Sequence, residues 1–320
     1  MKCKQCNEEV EPQFAFCESC GHPLNPAGAQ AAGVPAAGAP HAKCACGGTT
    51  YDPEGFCDTC GRRGSGHGEA ELCRIGERAA SATHRGRHHR DNQDAVKLAA
   101  LPAGVAMGLA DGVSSASHAR QAADIALDVA LETLRDTLGA GPKDRLEQAV
   151  RRAHQAVCGL PNDVARLAEP QTTLVLALVE GDQVWYAWVG DSRLYALSPR
   201  GASQLTVDDS SINEQLAAGV PLAVAQADAD AHCITQCLGM RDDELDVHLA
   251  QFELAQDTWL LLCSDGLWNY CSGADQLWAL LNAGGENASL SQRCASLVDY
   301  ANQAGGQDNI TVALYRHGAA

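Results

Sequence analysis

Two amphipathic stretches and a set of short apolar runs fill residues 75–317. In 117–138, Leu127, Leu131, Leu134 and Leu138 recur at spacings of four, three and four, and in 143–158 Leu146, Val150, Ala153 and Val157 do the same. That period predicts two helices, each with one buried face. Strands are predicted over 104–110, 172–179, 183–189, 257–263 and 310–315, where apolar residues cluster in short runs. The pattern is that of one compact domain of the α/β type, with no internal repeat. Several runs end in acidic, Gly-containing turns, LADG, VGDS and CSDG. A strand that delivers an Asp at its end, followed by Gly, suits a site at the rim of a packed sheet.

The first 74 residues follow another rule. Residues 25–42, NPAGAQAAGVPAAGAPHA, carry no charge and break any helix with Pro and Gly, so they are expected to be a linker. On either side lie cysteine units, 1–24 with Cys3, Cys6, Cys17 and Cys20, and 43–63 with Cys44, Cys46, Cys57 and Cys60. Four thiolates from two such turns can close a tetrahedral zinc site, and a unit this small would take its stability from the metal. The Cys44-x-Cys46 pair is one residue tighter than usual, and His41 beside it is expected to be a bystander. Both units resemble the short zinc ribbons at the termini of many bacterial regulatory proteins, which implies two structural Zn²⁺ ions. Residues 64–74, opening GSGHG, are expected to be a second hinge.

Composition narrows the classes. Forty carboxylates against 23 Lys and Arg give a net charge of −17, so the chain has no overall basic field for nucleic acid. Residues 1–63 are themselves acidic, with five basic and seven acidic side chains, which counts against nucleic-acid binding by the ribbons. No apolar run reaches the roughly 18–20 residues of a membrane span, and MKCKQC lacks the apolar stretch of a signal peptide. A cytoplasmic protein is expected. Fifteen cysteines, eight of them in the paired units, fit metal binding plus buried thiols better than disulfides.

Five acidic segments stand out: Asp94 in RDNQDA, Asp111 in LADGVSS, Asp191 in VGDSRLYAL, Asp265 in LLLCSDGLW and Asp308 in GGQDNITV. Alone, each is an ordinary turn or loop residue. Carboxylates brought together would repel and suffer desolvation unless hard cations such as Mg²⁺ or Mn²⁺ compensated them. In order and spacing, residues 80–315 resemble the metal-dependent type 2C protein phosphatases (the PPM family) in their bacterial form. THRGRHHRDNQDA, VAMGLADGVSS, QTTLVLAL, WVGDSRLYAL, LTVDDSSINEQLAAG, ITQCLG, LLLCSDGLW and GGQDNITV carry the resemblance.

The resemblance implies an α+β fold, a four-layer α-β-β-α sandwich of two antiparallel sheets flanked by helices. It implies that Asp111 bridges two Mn²⁺ or Mg²⁺ ions with the Gly112 carbonyl as a further ligand. Asp265 and Asp308 would hold one ion and Asp94 would support the other, while Asp191 with Asp265 would serve a weaker third site. The implied reaction is hydrolysis of phosphoserine and phosphothreonine by a hydroxide bridging the two ions, with no phosphoenzyme. Phosphorylated proteins are the expected partners, a bacterial Ser/Thr kinase and its substrates among them. A monomer is expected, without membrane, with the ribbons as a recruitment module. The alternative is a pseudophosphatase acting as adaptor or sensor.

The match departs at several positions. Where the family places an Arg five residues before the first metal Asp, this chain has His89, flanked by Arg87, His88 and Arg90. A His can hydrogen-bond a phosphate but lacks the bidentate fork of Arg. His89, helped by Arg87 or Arg90, is the candidate for that role, and a basic surface loop is the alternative. Val113 supplies no acid where some members carry His, and His118 is expected to be structural. Gln171 and Asp209 replace a Gly and a His of the family pattern, with local effects expected. Cys233 and Cys237 are expected on a partly buried helix face, and Cys263 as a core thiol.

Overall fold

The computed structural model describes residue 59 and residues 70–162, 168–240, 245–285 and 287–318. Both cysteine units and the linker expected over 25–42 lie outside the described residues, apart from Thr59. In chain order the elements are β1 (Glu71–Ile75), β2 (Ala79–His84), β3 (Asp94–Leu101), β4 (Gly104–Asp111), α1 (Ala119–Asp136), α2 (Pro142–Cys158), β5 (Leu174–Glu180) and β6 (Gln183–Val189). There follow β7 (Arg193–Ser198), β8 (Gly201–Gln204), α3 (Ser211–Ala217), α4 (Leu222–Ala225), β9 (His248–Glu253), β10 (Trp259–Cys263), α5 (Asp265–Trp268), α6 (Ala274–Asn282), α7 (Leu290–Ala304) and β11 (Ile310–Arg316).

The strands form a six-stranded sheet in the order β1-β2-β11-β10-β7-β8 and a five-stranded sheet in the order β3-β4-β5-β6-β9, and the paired strands are antiparallel. Strand β5 shows why the sequence reads as an unbroken apolar run. Leu174, Leu176 and Leu178 pack under α1 and α2, while Val175, Ala177 and Val179 face the other sheet. A strand covered on both faces has no side left for polar residues. In the opposite sheet Leu260 and Leu262 meet the five-stranded sheet, whereas Leu261 and Cys263 pack with Leu297 and Val298 of α7. The result is the expected α-β-β-α sandwich.

Helix α2 starts with Pro142 and buries Leu146, Val150, Ala153 and Val157, the face the spacing predicts. Helix α1 is shorter than expected. It ends at Asp136, so Leu138 lies beyond it and is 46% exposed. The hydroxyls of Thr133 and Thr137 bond back to the carbonyls of Val129 and Thr133, at 2.8 and 2.7 Å, and Gly139 and Gly141 follow. Strand β1 begins at Glu71, inside the stretch expected as a hinge. Cys233 and Cys237 are not on a helix. Backbone bonds from Ser211 N to Cys233 O (3.0 Å) and from Leu238 N to Thr172 O (2.9 Å) hold this segment extended, with Cys233 exposed and Cys237 buried. Among the described residues no helix is long and apolar enough to cross a membrane.

Candidate metal centre

Five aspartates meet at one end of the sandwich because strand ends bring them there. Asp94 opens β3 and Asp111 closes β4, and the two are direct cross-strand partners. Asp191 sits in the turn from β6 to β7, Asp265 opens α5 just after β10, and Asp308 precedes β11. Close backbone packing fixes the second sheet's contribution. A Cβ on Gly266 would lie 1.9 Å from the Asn309 carbonyl oxygen, and one on Gly86, whose φ is +74°, would lie 2.1 Å from that of Asp308. Gly266→Ala is therefore expected to destabilise the protein by about 3 kcal/mol, since backbone rather than a flexible side chain must yield. A urea midpoint unchanged from wild type would contradict this close approach.

Side chains that the motif reading did not single out hold the aspartates. Asp111 N donates to Thr173 Oγ1 (3.0 Å), and Asp111 O accepts from Thr172 Oγ1 (2.9 Å) and Thr173 N (2.8 Å). Ser264 Oγ donates to Asp94 Oδ2 at 2.8 Å and accepts from Thr311 N at 3.1 Å. Asn309 is buried and ties the loop before β3 to β11. Its Oδ1 accepts from Gln93 N (2.7 Å), and its Nδ2 donates to Arg85 O (2.9 Å) and Asp91 O (3.1 Å). The only sequence signal for these residues is their place in the QTT, CSDG and DNI runs, beside the acids they orient.

The electrostatics follow from burial. Desolvation, opposed by hydrogen bonds from Thr311 and Ser264, pushes Asp94 up to about 6. Burial followed by repulsion from Asp94, Asp265, Asp191 and Asp308 raises Asp111 well above the usual carboxylate range. Asp265 is raised well above it too, by burial and then by Asp308, Asp191 and Asp94. Asp191 is pushed up to about 7, chiefly by burial and next by Asp208. Asp111 lies within hydrogen-bonding reach of both Asp94 and Asp265. No salt bridge reaches Asp94, Asp111, Asp191 or Asp265 among the described residues.

No three metal-binding groups form a closed ligand set among the described residues. Two buried oxygens, Asp94 Oδ1 and Asp265 Oδ1, have no hydrogen-bond partner. Orphaned, desolvated oxygens of a hard donor type are the chemistry that a divalent cation satisfies. The residues present fit such ions.

His89 lies beside the cluster, with Nε2 at 3.2 Å from Asp308 Oδ1. Arg85 holds the turn by donating from Nη1 to His89 O at 3.1 Å. Arg87 turns to the Asn302 carbonyl (3.4 Å), and Arg90 is exposed. His118 caps α1 through its backbone, with φ 52° and no side-chain capping bond. Gln171 bonds Val113 N through its carbonyl at 3.1 Å.

Asp209 reaches further than the local effect expected of it. Its Oδ2 accepts from Gly190 N at 2.8 Å, immediately before Asp191, and its Oδ1 meets His248 Nε2 at 2.7 Å. His248 stacks on Trp188 with ring centroids 4.8 Å apart, and the bond to Asp209 raises its pKa above the ordinary histidine value.

A family model for protein phosphatase 2C matches residues 81–300, well over half the chain. The chain belongs to the protein phosphatase 2C family. Asp94, Asp111, Asp191 and Asp265 lie within the matched span, and Asp308 lies just past it. Protein phosphatase PhpP of Streptococcus pneumoniae is 36% identical over 162 residues, 50% of this chain and 63% of PhpP. The serine/threonine phosphatase stp of Listeria welshimeri is 38% identical over 148 residues, 45% of this chain and 55% of that protein. The chain thus spans less than two thirds of these curated relatives. The Mycobacterium tuberculosis serine/threonine phosphatase PstP/Ppp superposes with a TM-score of 0.63 at 27% identity, covering 75% of this chain and 97% of that one. A second structure, the catalytic domain of PstP in complex with two manganese ions, gives 0.61 at 28% identity, again covering 75% and 97%. This member of the 2C family therefore matches nearly the full length of those two phosphatase structures.

Proposed function

We propose that the protein is a metal-dependent phosphatase of phosphoserine and phosphothreonine in proteins. The observation that carries this reading is the cluster of aspartates at one rim of a 2C-family sandwich, in which Asp94 and Asp191 are buried and one buried oxygen each of Asp94 and Asp265 has no hydrogen-bond partner. Asp94, Asp111, Asp265 and Asp308, with the Gly112 carbonyl, would hold two Mn²⁺ or Mg²⁺ ions, and Asp191 with Asp265 a third. When bound, such ions supply an activated water and a counter-charge for the phosphoryl oxygens. The chain's own residues do the rest. Thr172 and Thr173 fix the Asp111 backbone, Ser264 orients Asp94, and Asn309 keeps the Arg85–Asp91 turn against the site. His89, held on Asp308, stands where the family's phosphate-binding Arg would be, with Arg90 exposed nearby.

The test is phosphate release from phosphothreonine and phosphotyrosine peptides with Mn²⁺, Mg²⁺ or EDTA, beside Asp265→Ala. Manganese-dependent release from phosphothreonine, lost in the variant, is expected. Inactivity of folded, Mn²⁺-replete protein would favour the pseudophosphatase reading, for which His89 in place of Arg is the one supporting observation.

The two cysteine units extend the proposal as zinc ribbons that recruit a phosphorylated partner, a Ser/Thr kinase or its substrate, to a monomeric cytoplasmic enzyme. A flexible linker raises the effective concentration of a bound partner's phosphosite to about the millimolar range. Elemental analysis of the full chain purified without chelator is expected to find two zinc ions, lost together when Cys3, Cys6, Cys44 and Cys46 are replaced by Ser. One zinc or none would sink the ribbon reading without touching the phosphatase.

A further inference from the structure

A groove of about 530 Å³ opens beside the two sheet edges formed by β1 and β3, with α1 as its third wall. It takes no part in the metal centre. Its apolar lining includes Leu72, Val96, Leu98 and Leu131. Ser81 also lines it, and although the residue is only 1% exposed, its hydroxyl has no hydrogen-bond partner. An unbonded buried hydroxyl is unfavourable unless something in the groove bonds to it.

The mouth of the groove carries charge in a definite pattern. Asp124, Asp128, Leu131 and Arg135 follow one another at helical spacing along α1. Asp124 takes up Arg120 at 2.7 Å and Asp128 takes up Lys97 at 2.6 Å. Arg135 is exposed and has no ion-pair partner among the described residues. One uncommitted guanidinium at the rim, an apolar wall and an unbonded hydroxyl within define a complementary molecule.

We propose that this groove is a second ligand site, for a small carboxylic acid with an apolar body and a hydroxyl. The carboxylate pairs with Arg135, the body lies on Leu98 and Leu131, and the hydroxyl bonds Ser81. A single negative charge suits the site better than a phosphate dianion. Lys97 and Arg120 are taken up by Asp128 and Asp124, which leaves Arg135 as the one lining cation without an ion pair among the described residues.

The groove wall also touches the turn that leads to Asp94. Arg120 Nη1 donates to Asn92 O at 3.1 Å, Asn92 Nδ2 donates to Thr83 Oγ1 at 2.8 Å, and Asn92 Oδ1 accepts from Asp94 N at 3.2 Å. A ligand that shifts Arg120 would therefore change metal affinity, and by linkage the metal would change the ligand's affinity equally. This coupling, unlike binding itself, rests on the metal reading above.

The probe is 3-(4-hydroxyphenyl)propionate, titrated into EDTA-treated full-length protein by calorimetry or NMR up to about 10 mM, the range where so small a ligand registers. The controls are 4-ethylphenol, which lacks the carboxylate, and 3-phenylpropionate, which lacks the hydroxyl. Saturable binding is expected, weakened about tenfold in Arg135→Ala and by a smaller factor in Ser81→Ala. Arg135 is on the surface, so its variant folds. Absence of saturation, equal binding of 4-ethylphenol, or indifference to Arg135→Ala would each overturn the site. If the probe binds as expected while the protein releases no phosphate, the site stands and the phosphatase reading falls.

Discussion

Asp111→Asn is expected to raise the thermal stability of the metal-free protein and to remove its turnover in the same preparation. The Asp111 carboxyl is desolvated and faces the charges of Asp94, Asp265, Asp191 and Asp308. An amide of the same shape relieves that repulsion and leaves the backbone bonds to Thr172 and Thr173 in place. Replacing a buried, poorly compensated charge with a neutral group can stabilise by about 1–4 kcal/mol, and each kcal/mol moves the midpoint of a domain this size by about 2–4 °C. Turnover should fall about a thousandfold or more, because the several kcal/mol that metal ions contribute to the transition state would be lost. Melting curves in EDTA and phosphate release in Mn²⁺ check both halves. A lower melting temperature in EDTA would mean that the aspartates are not under mutual strain.

Acidification should stabilise the metal-free protein, opposite to the usual acid response of carboxylates. Unfolded aspartates release their protons near the ordinary value of 3.8, whereas folded Asp94 holds its proton up to about 6 and Asp191 up to about 7. Between those values the folded state binds more protons, so stability falls as pH rises. Each tenfold change in proton affinity is worth about 1.4 kcal/mol, so Asp94 alone accounts for on the order of 3 kcal/mol. The change is complete below about pH 4, where both states are protonated. His248, raised by Asp209, works in the same direction, since its contribution is full below its unfolded pKa and is lost as pH rises through the folded one. A His248→Gln variant separates the two sources. In saturating Mn²⁺ the slope should reverse, because ions and protons compete for the same oxygens. Urea denaturation from pH 5 to 8, with EDTA or Mn²⁺, reads all of this, and a metal-free protein that loses stability on acidification from pH 7 to 5.5 would refute it.

The candidate site was legible in outline because its acids come at strand ends followed by Gly or Asn, a pattern visible without coordinates. LADG, CSDG and QDN each mark a place where the chain leaves or enters a sheet at the same rim. The supports were harder to read. Asn309 makes three bonds to a loop that lies more than two hundred positions away in sequence, and nothing about an Asn after an Asp announces them. Fold elements with a strong period, such as α2 and β5, stood out, whereas β1 was hidden in a Gly-rich approach. Leu138 kept the helical spacing after local hydroxyl bonds and glycines had ended the helix. At Cys237 a partner from outside the segment decided the outcome, because Leu238 pairs with Thr172.

The place of β11 bears on biosynthesis. It lies between β2 and β10, so the first and later parts of the six-stranded sheet are joined only by the last strand described. Asp308 and Asn309 arrive with it. A nascent chain still lacking this strand has two unconnected half-sheets, no clamp on the Arg85–Asp91 turn and an incomplete acid cluster. Such long-range pairing forms slowly and late. The acid cluster would therefore be completed in a single event once β11 has been made, and a chain stalled before that strand would lack it.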